Sequence, residues 1–241
     1  MNFKEENEMD ELQKLSQAIN SKIEVIPPEF YYNSIVLCII DAVFSIGVKY
    51  TGVQNVVSKF CKHEKLEKDR AYASLPVTIQ NEYTIQQFIA FNNAYNLDFE
   101  HIAKNVYENK GRTSSINGIL KAQAVYEFAV VLEKYGINKM VDVAKIPDRN
   151  LFEKEVKSIK GQKSGIMLSY FYMLCGVDNL VKPDRHILNF IEESIGMKVD
   201  GVRAQSLIEE YVSSENQLGK NYTCGLIDHS IWQYMSKKRR R

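Results

Sequence analysis

LFEKEVKSIKGQKSGIMLSYFYMLCGVDNLVKPDRHILNF, residues 151–190, reads as a short helix ending near Ser158, a tight turn through Ile159-Lys160-Gly161, and a second helix from Ile166 to Leu174 that is apolar nearly all round. A helix that starts straight out of a turn presents unpaired backbone N–H groups and the positive end of its dipole, which together suit a phosphate. Lys157, Lys160 and Lys163 put positive charge around that point. A plain helical turn inside a core has the same local pattern, so the neighbouring sequence has to decide. The polar loop Gly176 to Leu180 ends the second helix, and Val181-Lys182-Pro183 leads to Asp184-Arg185-His186-Ile187, where a further helix begins with Asp184 as its N-cap. A carboxylate in that position accepts backbone N–H bonds, and the helix dipole favours its charge.

Outward from this stretch, apolar residues recur at three- and four-residue spacing and extended alternation is almost absent, so the chain is expected to be all-α. Glu11–Ile23 reads as an amphipathic helix stopped by Pro27-Pro28. Tyr32–Phe44 is apolar on most sides and should be buried, and a helix from about Val53 to His63 follows the Gly47/Gly52 break. The charge-dense His63–Arg70 should be solvated. Thr84–Asn93 and Asp98–Tyr107 suggest two short helices, and Gly118–Tyr135 a longer one, entered from the polar loop Gly111–Asn117. The expected segments are 1–30 (helix and connection), 31–195 (the central region), 196–236 (C-terminal helices) and 237–241 (a basic tail).

Composition narrows the class. The 241 residues carry a net charge of +1, with 45% hydrophobic, 25% charged and 11% aromatic residues, which is the balance of a compact domain. The longest apolar run, Ile35–Val48, contains Asp41 and falls short of the roughly 20 residues of a membrane span, so no membrane partner is expected. The acidic start, with no apolar stretch behind it, does not read as a secretory signal. Cys38, Cys61, Cys175 and Cys224 are scattered, without a C-x-x-C pair, and read as buried free thiols and not as metal ligands. Lys237 to Arg241 form a basic run that suits phosphate or a solvated terminus.

Residues 32 to 195 resemble the helix-hairpin-helix–GPD superfamily of DNA glycosylases, the group of endonuclease III and the 8-oxoguanine glycosylases. Gly161-Gln162-Lys163 is similar to the glycine-x-lysine end of that family's hairpin, and Val181–His186 to its aspartate segment, with one residue inserted before Asp184. Lys121-Ala122 stands where the family has G-x-x-x-K-A, and Leu226–Trp232 resembles a closing helix of some members. Ser158 and Ile159 depart from the hairpin's proline and first glycine. Ser45–Tyr50 lacks the glutamine that often fills the gap left by an extruded base, although Tyr50 is chemically suited to that place. The family's four-cysteine cluster loop is missing, so no iron–sulfur centre and no other cofactor is expected.

The resemblance implies a helix-hairpin-helix glycosylase-like fold, with two helical subdomains flanking a DNA-binding, active-site cleft. It implies removal of a damaged, mismatched or modified base after the nucleotide is flipped out of double-stranded DNA. Asp184 would stabilise the cationic sugar. Lys163, if burial beside Lys160 and Arg185 lowered its basicity, would attack C1′ and add strand cleavage; a lysine that only contacts the backbone fits the same place. Lys157, Lys160, Gly161, Gln162, Ser164, Arg185, His186 and Tyr50 would contact DNA, while Tyr170, Phe171 and Tyr172 suggest either a stacking pocket or core. A monomer in the cytoplasm or nucleoid is expected, nuclear in a eukaryotic cell. A DNA-binding protein that keeps the fold without catalysis is the alternative.

Overall fold

The computed structural model describes residues 3–28, 31–48, 50–71 and 77–238, with side chains from residue 10 onward. It is mostly helical, as the apolar spacing requires. In chain order the elements are α1 (Phe3–Lys22), β1 (Tyr31–Tyr32), α2 (Ile35–Phe44), α3 (Tyr50–Glu64), β2 (Asp69–Arg70), α4 (Ile85–Ala94), α5 (Phe99–Asn105), α6 (Lys121–Lys134), a 3₁₀ turn (Met140–Lys145), α7 (Arg149–Ser158), α8 (Ile166–Cys175), α9 (Arg185–Ile195), α10 (Gly201–Gln217) and α11 (Cys224–Lys238). Among the described residues no helix is long and apolar enough to cross a membrane.

The chain forms two compact units. Phe30–Gly176 is a continuous central unit, and Met1–Glu29 joins Val177–Arg241 in a terminal unit. Residues 177–195 therefore go with the chain termini, whereas the sequence segmentation carried them in the central region. The reason is the apolar face of α9: Ile187, Phe190, Ile191 and Ile195 share one core with Leu15 and Ile19 of α1, with Leu207 of α10 and with Ile227 of α11.

Helix α2 is the axis of the central unit. All ten of its residues are buried, and the N–H of Val36 donates to Ser34 Oγ at its start (3.0 Å). Helices α3, α4, α6 and α8 pack on it. Phe60 of α3 stacks on Tyr107 with ring centres 5.7 Å apart and takes Phe88 of α4 edge-on at 5.8 Å. Asp41, inside α2, accepts from the Tyr32 hydroxyl at 2.6 Å, so the polar residue in the apolar run is held by a partner from β1. At the other end of α2 the buried Lys121 ammonium donates to the carbonyls of Phe44 (3.0 Å) and Ile46 (2.8 Å), closing groups that the helix leaves open. Burial lowers the Lys121 pKa to about 8.

One sequence expectation changes here. The charged stretch up to Arg70 is not all solvated: α3 runs on to Glu64, and Asp69–Arg70 pairs antiparallel with Tyr31–Tyr32. Arg70 Nε donates to the Tyr32 carbonyl (3.1 Å), and its guanidinium lies 5.1 Å over the Tyr31 ring. Two-residue strands carry too little alternation to be seen as a pattern, and arginine's flat, apolar faces allow it to pack where a lysine would stay in water.

In the terminal unit α1 begins earlier than expected from periodicity, at Phe3 instead of Glu11. Glu11 accepts from Arg203 of α10 (2.9 Å), and Asn20 from the hydroxyl of Tyr211 (2.7 Å). Lys237 and Lys238 continue α11, where Lys238 pairs with Glu193 (2.7 Å); the rest of the basic run, 239–241, lies outside the described residues. All four cysteines are free and buried.

Candidate functional site

The hairpin is built as its sequence suggests. Asp148 caps α7 by accepting from the N–H of Leu151 (2.9 Å), and the amphipathic helix buries Phe152 and Val156 while its lysines stay outside. The turn then closes on itself, with Gln162 N–H donating to Ile159 O (2.9 Å) and Gly165 N–H to Gln162 O (3.2 Å). Gly161 (φ +89°) and Gly165 (φ +76°) take the left-handed conformations that make the reversal possible. Gly165, not a serine or aspartate, occupies the N-cap of α8; Ser164 Oγ is 3.5 Å from the Ile166 N–H, a weak contact.

Around the turn lies an open groove of about 710 Å³ whose lining includes Lys154, Lys157, Lys160 and Lys163 against a single carboxylate, Glu153. Lys157 and Arg149 both pair with Glu153, at 3.3 and 3.0 Å. The remaining positive charge faces solvent, as an anion site needs. Lys154 extends the expected set of lysines by one turn of α7.

One expectation about the turn is corrected. Gln162 is only 2% exposed, so its side chain fills the space under the turn and is not presented to a phosphate. Lys163 is exposed, as a lysine that contacts the DNA backbone would be. Lys157, Lys160, Gly161 and Ser164 are exposed, as contact with a ligand requires.

Sequence reasoning did not pair the hairpin with the loop between Gly111 and Gly118. A Cβ on Gly161 would stand 2.5 Å from Thr113 Cβ, so the turn sits directly against that loop. In the same loop Ile116 is 80% exposed, an apolar side chain among polar neighbours, and its carbonyl accepts from Ser114 Oγ (2.6 Å). Gly161→Ala should destabilise the central unit by about 1–3 kcal/mol, combining backbone strain with the clash. Gly136 (φ +74°) has nothing within 4 Å, so Gly136→Ala should show only the backbone part. Equal destabilisation of the two variants in denaturant melts would remove Thr113 from the account.

Tyr50 opens α3, with its hydroxyl bonded into a group with Tyr32 and Tyr170. A side chain tied down in this way is not free to enter a duplex. Phe171 and Tyr172 are core: Phe171 packs edge-on against Phe128 (4.8 Å), and Arg149 covers the Tyr172 ring at 4.4 Å. Trp232 stacks with His229 within α11.

Asp184 belongs to the terminal unit, and Lys163 to the central one. Asp184 is the N-cap of α9: Oδ1 accepts from the N–H groups of His186 (2.7 Å) and Ile187 (3.4 Å). Its half-buried carboxylate is thus fixed in direction, with exposed Arg185 next to it. The missed residue in this unit is Asp228, on the buried face of α11 between Ile227 and Ile231. Its Oδ1 accepts from the Lys182 N–H at 2.9 Å. A carboxylate within an apolar stripe was the available signal.

A family model matches residues 10–236. The chain belongs to the family described as a domain of unknown function, DUF8548. No curated protein and no solved structure matches the chain. In this DUF8548 member the hairpin groove and the Asp184 segment are the two features that offer charge to a ligand. Among the described residues no three His, Cys, Asp or Glu side chains gather as a metal site would need.

Proposed function

We propose that this DUF8548 protein is a DNA glycosylase of helix-hairpin-helix type that removes a base by hydrolysis. The observation that carries this reading is the α7–α8 hairpin, a glycine-built turn at a groove lined by four lysines. The sequence resemblance and the Asp184 cap support it. The hairpin takes backbone phosphate, and Ile116, exposed in the loop whose Thr113 lies against Gly161, is the apolar side chain suited to fill the space left in the base stack. The flipped nucleotide loses its base when the C1′–N bond breaks and the electron pair leaves with the base, which takes a proton from solvent. Asp184, fixed by the α9 amides, stabilises the cationic sugar, and water adds at C1′ and releases its proton. Lys163, exposed in the turn, serves as a phosphate contact in this scheme and not as the nucleophile.

The test is a panel of duplexes, each with one damaged, mismatched or modified base, treated with alkali to reveal abasic sites and with borohydride to trap Schiff bases. Abasic sites without a trapped adduct are expected on at least one duplex. An adduct that disappears in Lys163→Ala would instead restore the strand-cleaving mechanism. Salt-sensitive affinity with no base release would make the protein a silent DNA binder.

The lysines carry their own prediction. Replacing Lys157, Lys160 and Lys163 by glutamine should weaken binding to all duplexes alike. It should also flatten the plot of log affinity against log salt by about 2–3, near 0.9 for each phosphate no longer neutralised. Fluorescence anisotropy between 50 and 200 mM salt measures this, and an unchanged slope would place the DNA elsewhere.

A further inference from the structure

The segment that carries Asp184 is anchored by side chains that stand far from it in sequence. Val181 N–H donates to Gln205 Oε1 of α10 (2.8 Å), and Lys182 N–H to Asp228 Oδ1 of α11 (2.9 Å). Gly201, the first residue of α10, lies so close to Pro183 that a Cβ there would meet the ring at 3.0 Å. Two residues after the Asp228 bond, the chain reaches the Asp184 cap, whose N–H turns back to the Lys182 carbonyl (2.6 Å). We propose that Asp228 is a positioning residue for Asp184, holding the Lys182–Asp184 backbone so that the cap carboxylate keeps its place and direction. What Asp184 then does rests on the glycosylase reading.

The choice of residue supports a role beyond plain packing. Asp228 is 6% exposed, and burial raises its pKa to about 8; the bond from the Lys182 N–H opposes the rise, and the negative charge of Asp184 adds to it. A hydrophobic side chain would fill the site without that penalty, but it would leave the Lys182 N–H without its acceptor. The bond to the segment is therefore the feature that a substitution has to preserve.

Amide exchange by NMR and single-turnover base release, both on the full chain, test the proposal. In Asp228→Leu, exchange at His186 and Ile187 should speed up at least tenfold while α10 keeps its protection. Base release should slow at least tenfold, with duplex Kd changed less than twofold. Asp228→Asn, which keeps the acceptor, should restore both. Asp228→Ala stands in if the leucine variant does not fold.

Unchanged exchange at His186 and Ile187 would overturn the proposal. Loss of protection throughout α10 and α11 would show a general structural role, and failure of asparagine to rescue would show that the charge, not the bond, matters; either result also overturns it. If the wild-type protein releases no base from any duplex, the glycosylase reading fails, and the exchange experiment still decides whether Asp228 holds Asp184.

Discussion

Asp184→Asn should bind duplex DNA as the wild type does, within about threefold, and release base about 100- to 1,000-fold more slowly. The two effects separate because Asp184 has two jobs in the proposed scheme. As the N-cap of α9 it accepts from the His186 and Ile187 N–H groups, and asparagine caps a helix about as well as aspartate. As a charge facing a cationic sugar it has no neutral substitute. Stability should therefore stay within about 1 kcal/mol of the wild type, so slower turnover cannot be blamed on unfolding. Measured base release equal to the wild type would remove Asp184 from the chemistry, and parallel losses of binding and turnover would make the residue a scaffold only.

Much of this was legible in the sequence, for reasons that differ from element to element. The hairpin was visible because glycine, lysine and an apolar helix occur together within a short stretch, and local patterns of that kind depend on local physics. The Asp184 cap was visible for the same reason. Gln162 was not: between Gly161 and Lys163 it looks like a surface residue, and only the closure of the turn onto Ile159 puts it inside. Lys163 needed burial to act as a nucleophile, and burial is a property of the assembled chain. Asp228 and Lys182 are 46 residues apart, and their bond depends on α11 docking beside α9. No window of sequence contains that information.

Asp228→Asn should raise the melting temperature by at least about 5 °C at pH 8, with the gain shrinking to nothing near pH 4. In the unfolded chain this carboxyl releases its proton near the ordinary value of 3.8, whereas in the folded protein burial and Asp184 hold the proton to about pH 8. Between those limits the folded state carries a proton that the unfolded state has lost. Stability therefore falls as pH rises, by about 1.4 kcal/mol per pH unit at most, and levels off above the folded value. Below about pH 4 both states are protonated and the group makes no difference. Asparagine has nothing to titrate, so the two melting curves should converge in acid and part toward neutrality. A constant offset across pH 4–8 would mean that Asp228 is ionised throughout, with its charge balanced in some other way.

The division of the chain also bears on the order of events during synthesis. Helix α1 leaves the ribosome before the other helices described, but the partners of Leu15 and Ile19 are on α9 and α10, more than 150 residues later. At about 5–20 residues per second, that apolar face waits roughly ten to forty seconds while the residues of the central unit emerge. During that interval Leu15 and Ile19 are an open hydrophobic stripe on a tethered helix, the kind of surface that chaperones bind. The stripe is covered only when α9 and α10 reach it, so a nascent chain stalled between α8 and α9 would carry an unsheltered α1.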